Sequence, residues 1–442
     1  MLQPDHYLKL VETTNPILNL GRVNQRIGLL IGSSGPRARL GDLCEIRQKG
    51  NRGIVVAEVV GFRDGQILLM PLSDEMGVSQ GDEVLLTGNA NSVLVCDEMI
   101  GRVLDAACKP IDGKGPIESQ GWKRRNVFNA PPAPLERQRI KRHLATGIRS
   151  IDAFMTCGTG QRLGIFAGSG VGKSTLLGMI TRNTEAEVSV IALVGERGRE
   201  VRDFVERDLG ESGVKKAVVI AVTSDQPAPL RVKGAFAATA IAEHFRDQGK
   251  AVMLMVDSLT RVAMAQREIG LAVGEPPTSK GYPPSVFALF PRLLERAGNT
   301  SIGSITGVYT ILVEGDDFNE PISDLARSIL DGHIVLSRRL ATSNFFPAID
   351  VLDSISRVMS EVVSAQHVKV AYEVREILAT YREAQDLINL GAYAKGSNPR
   401  IDRAIALIER VTAFLVQRVE EGASFADTQQ RLLSLLAEKA NV

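Results

Sequence analysis

The sequence has few of the features that mark a secreted or zinc-binding protein. Its four cysteines (Cys44, Cys96, Cys108 and Cys157) are widely spaced and form no Cys-x-x-Cys pair, and its five histidines are scattered. Thiols of this kind are typical of a reducing compartment, and neither residue type has the spacing of a structural zinc site. We therefore expect no disulfide framework and no zinc site.

Long apolar runs and an excess of one charge are also missing. No run approaches the length of a bilayer, and the first residues, MLQPDHYLKL, lack the basic and apolar regions of a signal peptide. The net charge is +1 and aromatic residues make up 5% of the chain. Such a balance favours no nucleic-acid partner. We expect a cytosolic protein that meets a membrane only peripherally.

What the sequence does contain is the stretch AGSGVGKS at residues 167–174, between the apolar run LGIF and a helix-like segment. This is the strand–loop–helix setting of a phosphate-binding P-loop, in which glycines let backbone N–H groups turn toward one phosphate. Lys173 can reach the β- and γ-phosphates, and Ser174 can hold Mg²⁺. Ala167 replaces the usual first glycine, and Lys173 breaks the rival dinucleotide pattern G-x-G-x-x-G. The stretch predicts binding of a nucleoside triphosphate.

The texture of the 442-residue chain changes along its length. Residues 1–25 form a short N-terminal segment, for which a short amphipathic helix and a frayed tail both stay open. Short apolar runs such as IGLLIG and GIVVAEVVGF predict a small β-barrel over residues 26–92. Residues 93–149 form a Pro- and Arg-rich connector, whose basic side chains we interpret as a solvated linker.

Strands and helices alternate over residues 150–362. The candidate strands LGIFAG, VSVIALVGE, KAVVIAVTS, AVMLMVDS and SITGVYTILVEG are nearly continuous apolar runs. Such runs are typical of a parallel sheet covered by helices on both faces. Residues 363–442 have a helical pattern, with Asn398 and Pro399 as a helix start. The predicted fold class is α/β, with a small N-terminal barrel and a C-terminal helical domain.

Carboxylates follow two of these strands. Asp257 ends AVMLMVD, where a carboxylate can orient Mg²⁺ through its water shell; the alternative is that it caps the next helix. Glu196 and Arg197 follow VSVIALVG, and a glutamate there can polarise the water that attacks a terminal phosphate. An equally open interpretation is that Arg197 or Glu200 forms only a local ion pair.

Seven ordered motifs carry a resemblance to a known family: AGSGVGKSTLLGMI, GERGRE, VDSLTR, GEPPTSKGYPPSVF, EGDDFNEPISD, LDGHIVLSRRLA and FPAIDVLDSISR. Together they resemble the catalytic subunits of rotary ATP synthases and, more closely, the type III export ATPases. DSLTRVAMAQREI, TSKGYPPSVF and LGAYAKGS resemble the flagellar branch rather than the injectisome branch. The resemblance runs from about Arg26 to the C-terminus and implies a RecA-like P-loop core.

The resemblance also implies roles for residues that match the motifs. The phosphate cradle would consist of Gly168, Ser169, Gly170, Val171, Gly172, Lys173, Ser174 and Thr175. The catalytic set would be Lys173, Glu196, Arg197, Asp257 and Arg357. Within that set Glu196 would activate water, Arg197 would help to bind or orient the nucleotide, and Asp257 would hold Mg²⁺ through water beside Ser174.

Two further roles follow from the resemblance. Phe346 would stack on adenine, although a phenylalanine is also a common core residue. Arg357, in SISR, would be an arginine finger donated to the active site of a neighbouring subunit. Because Glu196 and Arg357 lie in one polypeptide, identical subunits can complete one another, and a homohexamer with six composite ATP sites is the expected assembly.

The resemblance finally implies partners: an export-apparatus regulator, a central stalk protein, a membrane gate and chaperone–substrate complexes at the inner membrane. Four alternatives stay open. They are an injectisome ATPase, a rotary ATPase subunit, a non-catalytic nucleotide-binding ring subunit and a hexameric RNA helicase. Glu196 argues against the non-catalytic subunit, and the balanced charge with few aromatic residues argues against the helicase.

Overall fold

The computed structural model describes residues 20–50, 53–73, 77–88, 91–313, 315 and 317–437. The two alternatives for the N-terminal segment, a helix or a tail, concern mainly residues 1–19 and so lie outside the described residues. Within the described ranges, no helix combines the length and the apolar character needed to cross a bilayer.

The N-terminal region is a closed antiparallel β-barrel with strand order β1-β2-β5-β4-β3-β6. Its strands are β1 (Leu20–Ile27), β2 (Leu30–Ser33), β3 (Leu43–Arg47), β4 (Ile54–Arg63), β5 (Gln66–Pro71) and β6 (Glu83–Gly88). Side chains that alternate along the strands fill its interior, among them Ile31, Ile46 and Leu69. The barrel begins at Leu20, ahead of the predicted boundary at Arg26. The sequence of β1 is mostly polar, so its composition does not predict a strand. It is a strand because its backbone pairs with β2 and β6.

The segment after the barrel packs against the rest of the protein. It contains β7 (Ser92–Val95), β8 (Val103–Leu104) and β9 (Lys123–Asn126); β7 pairs with β9, and β8 extends the central sheet. Arg125 forms an ion pair with Asp247 at 2.7 Å. Basic side chains such as Lys123 and Arg124 are exposed, as a solvated surface requires. The backbone of this segment, however, is fixed by strand pairing, so it is not a free linker. Its boundaries at residues 93 and 149 stay a prediction.

A central sheet, parallel over most of its width, forms the middle of the chain. Its strands, besides β8, are β10 (Arg162–Ala167), β11 (Val188–Glu196), β12 (Ala217–Thr223), β13 (Ala251–Asp257), β14 (Gly298–Asn299), β15 (Ser304–Leu312), β16 (Gly332–Leu336) and β17 (Ile349–Ser356). The order is β17-β16-β10-β15-β13-β11-β12-β8, with β14 paired to β15; β14 and β17 are antiparallel to their neighbours. The five predicted strands are confirmed as β10, β11, β12, β13 and β15. Their carboxyl ends lie at one edge of the sheet, where parallel α/β folds bind ligands.

Helices cover both faces of the sheet and form the C-terminal region. They are α1 (Arg149–Phe154), α2 (Lys173–Asn183), α3 (Gly198–Asp203), α4 (Gly210–Val214), α5 (Ala228–Arg246), α6 (Leu259–Val273), α7 (Pro284–Leu294), α8 (Pro321–Ile329), α9 (Arg338–Thr342), α10 (Met359–Val362), α11 (Ala365–Asn389), α12 (Pro399–Leu415) and α13 (Phe425–Ala437). A π-helical turn, Phe204–Leu209, joins α3 to α4. The predicted C-terminal helical domain is confirmed.

Two apolar cores hold this arrangement together, one on each face of the sheet. Phe236 and Phe245 of α5 belong to one core, and Leu177 of α2 and Phe414 of α12 belong to the other. Arg149, which is buried, ties the C-terminal helices to the sheet domain, because its Nε donates to the backbone oxygen of Phe414 at 2.8 Å. The second core therefore supports the helix that begins with Lys173.

Candidate functional site

A glycine-rich loop connects β10 to α2 at the carboxyl edge of the sheet. Gly170 has φ +77° and Gly172 has φ +90°, a backbone conformation that glycine adopts without strain. A Cβ on Gly170 would meet no atom within 4 Å, and one on Gly172 would approach the ring of Phe346 at 3.7 Å. The loop is therefore open on the side of Gly170 and closed by an aromatic ring beside Gly172.

The backbone N–H groups of residues 168–172 suit an anion. They donate no hydrogen bond within the described part of the chain, and the N-terminus of α2 adds its partial positive charge behind them. Consecutive unpaired N–H groups around a concave turn are what a phosphate group requires. Val171 contributes backbone only, because its side chain is 2% exposed and packs in the core.

Lys173 lies at the start of α2 and is already paired with two carboxylates. Its Nζ is 2.5 Å from Oδ1 of Asp257 and 3.3 Å from Oε1 of Glu196. Burial acts to lower the pKa of Lys173, but the attraction of Asp257 and Glu196 is stronger, so the pKa is raised. The lysine is therefore a fixed cation between the ends of β11 and β13.

Asp257 ends β13 and is almost fully buried, at 2% exposure. Its Oδ1 also accepts a hydrogen bond from Oγ1 of Thr310 at 2.6 Å. The next helix, α6, is capped by Ser258, whose side chain accepts from the backbone N–H of Arg261. The alternative that Asp257 caps this helix is thus wrong, and its carboxylate points at Lys173 instead.

Glu196 ends β11 and has an unusual proton affinity. Burial raises its pKa to about 7 from an ordinary 4.5, although the Lys173 ammonium acts in the opposite direction. Near neutral pH both the protonated and the ionised forms of the carboxyl group are therefore populated. A pKa close to the working pH is the value that suits a general base.

Arg197 follows Glu196 and is exposed at the start of α3. Its backbone N–H donates to Oε2 of Glu200 at 3.3 Å. The contact that joins these two residues is thus made by the backbone rather than by the guanidinium. Arg197 also lines one cavity with Lys173 and Glu196.

The glycine loop, Lys173, Glu196 and Arg197 line a cavity of about 750 Å³, within the range of small-molecule sites. Its lining consists of Ala167, Gly168, Ser169, Gly170, Gly172, Lys173, Ser174, Thr175, Gly195, Glu196, Arg197, Glu200, Ser224, Arg261, Leu312, Val313, Gly315 and Arg338. Most of the residues predicted from the sequence are therefore brought together in one place. The cavity also contains Arg261 and Arg338, which the sequence reasoning missed. The only available signal was that each arginine follows a strand end within a few residues.

Four predicted residues lie outside that lining. Val171 and Asp257 are buried, whereas Phe346 and Arg357 are exposed. Phe346 is 40% exposed and borders the loop at Gly172 rather than the cavity itself. Arg357 is exposed just after β17, and its Nη2 contacts the backbone oxygen of Arg327 at 3.4 Å. The single chain therefore brings Phe346 to the loop but does not bring Arg357 to the cavity.

Three protein-family models match successive parts of the chain. Residues 23–88 match the beta-barrel domain of the ATP synthase alpha/beta family, residues 147–356 its nucleotide-binding domain, and residues 363–434 the C-terminal domain of the T3SS EscN ATPase. The "Flagellum-specific ATP synthase" of Bacillus subtilis (strain 168) is 53% identical over 96% of this chain and 97% of its own length. The chain belongs to the ATP synthase alpha/beta family.

Two further relatives have the names of a flagellar and a type III secretion ATPase. The "Flagellum-specific ATP synthase" of Treponema pallidum (strain Nichols) is 52% identical, over 97% of this chain and 96% of its own length. The "Type 3 secretion system ATPase" of Sinorhizobium fredii is 48% identical, over 92% and 90%. The chain is thus a P-loop ATPase of the ATP synthase alpha/beta family, and its substrate is a nucleotide.

A solved structure agrees with this assignment. The assembled ATPase EscN from the type III secretion system of enteropathogenic E. coli superposes with a TM-score of 0.88 at 43% identity, and the match covers 94% of this chain and 99% of that one. The likeness includes the barrel, the nucleotide-binding sheet and the C-terminal helices. The predicted RecA-like core is thereby confirmed.

Proposed function

We propose that this ATPase is the ATP hydrolase of a bacterial flagellar protein-export apparatus. The observation that carries the catalytic part is the cluster of Lys173, Asp257 and Glu196 at the end of an open glycine loop. The similarity to two flagellum-specific relatives at 53% and 52% identity supports the flagellar part. The coupled work is the release of chaperones and export substrates at the inner membrane.

The phosphate chain of ATP would lie along the N–H groups of the loop, with Lys173 at the β- and γ-phosphates. Glu196 would orient the attacking water and accept its proton at a carboxylate oxygen. Its pKa of about 7 means that the ionised form is available at neutral pH. Arg197, exposed at the same edge, would help to hold the transferring phosphoryl group.

Mg²⁺ fits the side chains of this site. Ser174 is exposed and lines the cavity, and the carboxylate of Asp257 lies 2.5 Å from Nζ of the adjacent Lys173. Mg²⁺ usually takes few protein oxygens and keeps several waters. When bound, the ion neutralises the charge that develops on the phosphate oxygens. Ser174 would hold it directly and Asp257 through water.

The position of Arg357 supports a ring of identical subunits. Its guanidinium is exposed and outside the cavity of its own chain, so it is available to the cavity of a neighbour. The EscN relative is described as assembled, and also in complex with its central stalk EscO. We infer a homohexamer with a central stalk partner. A regulator, a membrane gate and a peripheral position at the inner membrane belong to the same proposal, with Phe346 against adenine.

The flagellar assignment is testable in the bacterium that carries this chain. Deleting its gene should abolish flagellar filaments, and wild-type protein supplied from a plasmid should restore them. Glu196→Gln, produced at the same level, should not restore them, whereas the exposed-surface variant Lys215→Ala should. Normal filaments without the gene would contradict the flagellar role. Loss of injectisome secretion with intact motility would assign the protein to the injectisome instead.

A further inference from the structure

Arg338 is a cation in the nucleotide cavity that has no part in the hydrolysis proposed for Lys173, Glu196 and Asp257. It begins α9, directly after β16, and lines the same cavity as the glycine loop. Its side chain is exposed and, within the described part of the chain, makes no hydrogen bond or ion pair. An arginine without a counter-charge, beside a loop that suits an anion, is itself suited to bind an anionic group such as a phosphate.

The other cations of the cavity differ in their surroundings. Lys173 is held between two carboxylates, at 2.5 Å and 3.3 Å. Nη1 of Arg261 lies 3.9 Å from the sulfur of Met264, and its side chain packs against Gly195, where an added Cβ would come within 2.8 Å. Arg197 lies beside Glu200, whose carboxylate accepts from its backbone N–H. Arg338 thus differs from Lys173, because it forms no ion pair with a carboxylate among the described residues.

The order of strands places Arg338 on the other side of the loop from Asp257 and Glu196. The loop strand β10 has β15, β13 and β11 on one side, and these carry Asp257 and Glu196. On its other side lies β16, which leads into Arg338. A polyphosphate in the cradle therefore has Lys173 on one side, with its charge partly cancelled by carboxylates, and an unpaired guanidinium on the other.

We propose that Arg338 binds the phosphate chain of the nucleotide from the side opposite Lys173. A guanidinium presents a planar fork of donors that matches two phosphate oxygens at once, which an ammonium cannot do. This inference rests on the proposal that the glycine loop holds the phosphates. It adds a nucleotide-binding residue to the chain's own half of the site.

The chain supplies a matched control for this proposal. Arg339 is the next residue on the same short helix and is also exposed, but it lines a different cavity, shared with Tyr381 and Asp350. The experiment measures the Kd of a fluorescent, non-hydrolysable ATP analogue with Mg²⁺ for the full chain and for Arg338→Ala, Arg338→Lys, Arg339→Ala and Lys173→Ala. The steady-state KM and kcat for ATP are measured alongside.

For Arg338→Ala the Kd and KM should rise by about tenfold or more, the usual effect of losing a hydrogen bond to a charged group. The kcat should change much less, because the contact exists before hydrolysis. Arg338→Lys should fall between wild type and alanine. Arg339→Ala should stay within about twofold of wild type, as exposed substitutions do.

Two results would overturn the proposal. If Arg338→Ala binds like wild type while Lys173→Ala loses binding, Arg338 does not contact the phosphates and the loop site stands. If Arg339→Ala weakens binding as much as Arg338→Ala, the effect belongs to general surface charge and not to a contact. Unchanged binding by both Lys173→Ala and Arg338→Ala would instead contradict the phosphate loop itself.

Discussion

The residues assigned to catalysis fall into two groups that differ in burial and in partners. Lys173, Asp257 and Glu196 lie close together at the loop, with the two carboxylates 2.5 Å and 3.3 Å from the lysine. Arg357 is exposed, and the described contact of its guanidinium is with one backbone oxygen at 3.4 Å. A buried ionic cluster is set in place by its own subunit, whereas an exposed arginine is available to another. In the proposed mechanism, this difference separates the part of the site that one chain completes from the part that a neighbour supplies.

The largest effect is expected from the buried group. Lys173→Ala removes the cation between Asp257 and Glu196 and leaves two carboxylates where phosphates must bind. Nucleotide affinity should fall by about a hundredfold, in line with about 3 kcal/mol for breaking a buried ion pair. Turnover should become undetectable. Isothermal titration with ATP analogue and phosphate release measure the two effects, and Lys215→Ala, at an exposed lysine, should behave like wild type. Retained binding by Lys173→Ala would contradict the phosphate-loop assignment.

The exposed group should show the opposite separation of binding and turnover. Arg357→Ala should lower kcat by about a thousandfold, the effect of losing an arginine finger, and should leave nucleotide affinity near that of wild type. Arg339→Ala, another exposed arginine, is the control and should keep full turnover. If Arg357→Ala lost as much nucleotide affinity as Lys173→Ala, Arg357 would act in nucleotide binding like the buried cluster. An unchanged rate would remove Arg357 from the mechanism.

The pH dependence of kcat/KM sharpens the role of Glu196. Its pKa of about 7 means that the ionised base is lost as the pH falls, so kcat/KM should drop by about tenfold per pH unit below 7 and level off above it. Glu196→Gln should lower the rate by about a hundredfold and abolish this acidic limb. A limb that survives in Glu196→Gln would assign the ionisation to another group.

The same raised pKa affects the stability of the fold. Stability should fall as the pH rises, whereas kcat/KM should rise. Because the folded-state pKa lies above the ordinary value of 4.5, the folded protein binds the proton more tightly than the unfolded chain does. The contribution of Glu196 to the free energy of unfolding is therefore fully present below pH 4.5 and is lost as the pH rises through about 7. Chemical denaturation of wild type and Glu196→Gln across this range should show the difference. An unchanged pH dependence would contradict the raised pKa.

The smallest effect is expected at the ring beside the loop. Phe346→Leu should raise the KM for ATP by about fivefold, since an aromatic stacking contact is worth about 1 kcal/mol beyond its burial. The kcat should stay close to wild type. Phe62→Leu, at another exposed phenylalanine, in the barrel, is the control. An unchanged KM for Phe346→Leu would show that the ring only packs against Gly172.

The sequence predicted the parts of the site that depend on local pattern. The loop, the strand ends at Glu196 and Asp257, and the alternation of strands and helices follow from motifs and from apolar runs of the right length. Each of these features can be recognised from the sequence of one continuous segment of the chain. That is why the five main strands and the three-part architecture are confirmed by the structure.

The features that were missed depend on which strands are neighbours. The place of Arg338 in the cavity follows from β16 lying beside β10, although about 170 residues separate these two strands along the chain. The two-residue strand β8 and the polar strand β1 are strands because of their partners' backbones, not their own composition. Long-range pairing of this kind leaves no local pattern to read.

The central claim is that each active site takes Glu196 from one subunit and Arg357 from the next, and mixing variants tests it most directly. Glu196→Gln and Arg357→Ala are each nearly inactive, and the two proteins are mixed in equal amounts under assembly conditions. If sites are composite, a random ring has about a quarter of its interfaces complete, and the mixture should recover a corresponding fraction of wild-type turnover. A mixture no more active than the separate variants would contradict the claim.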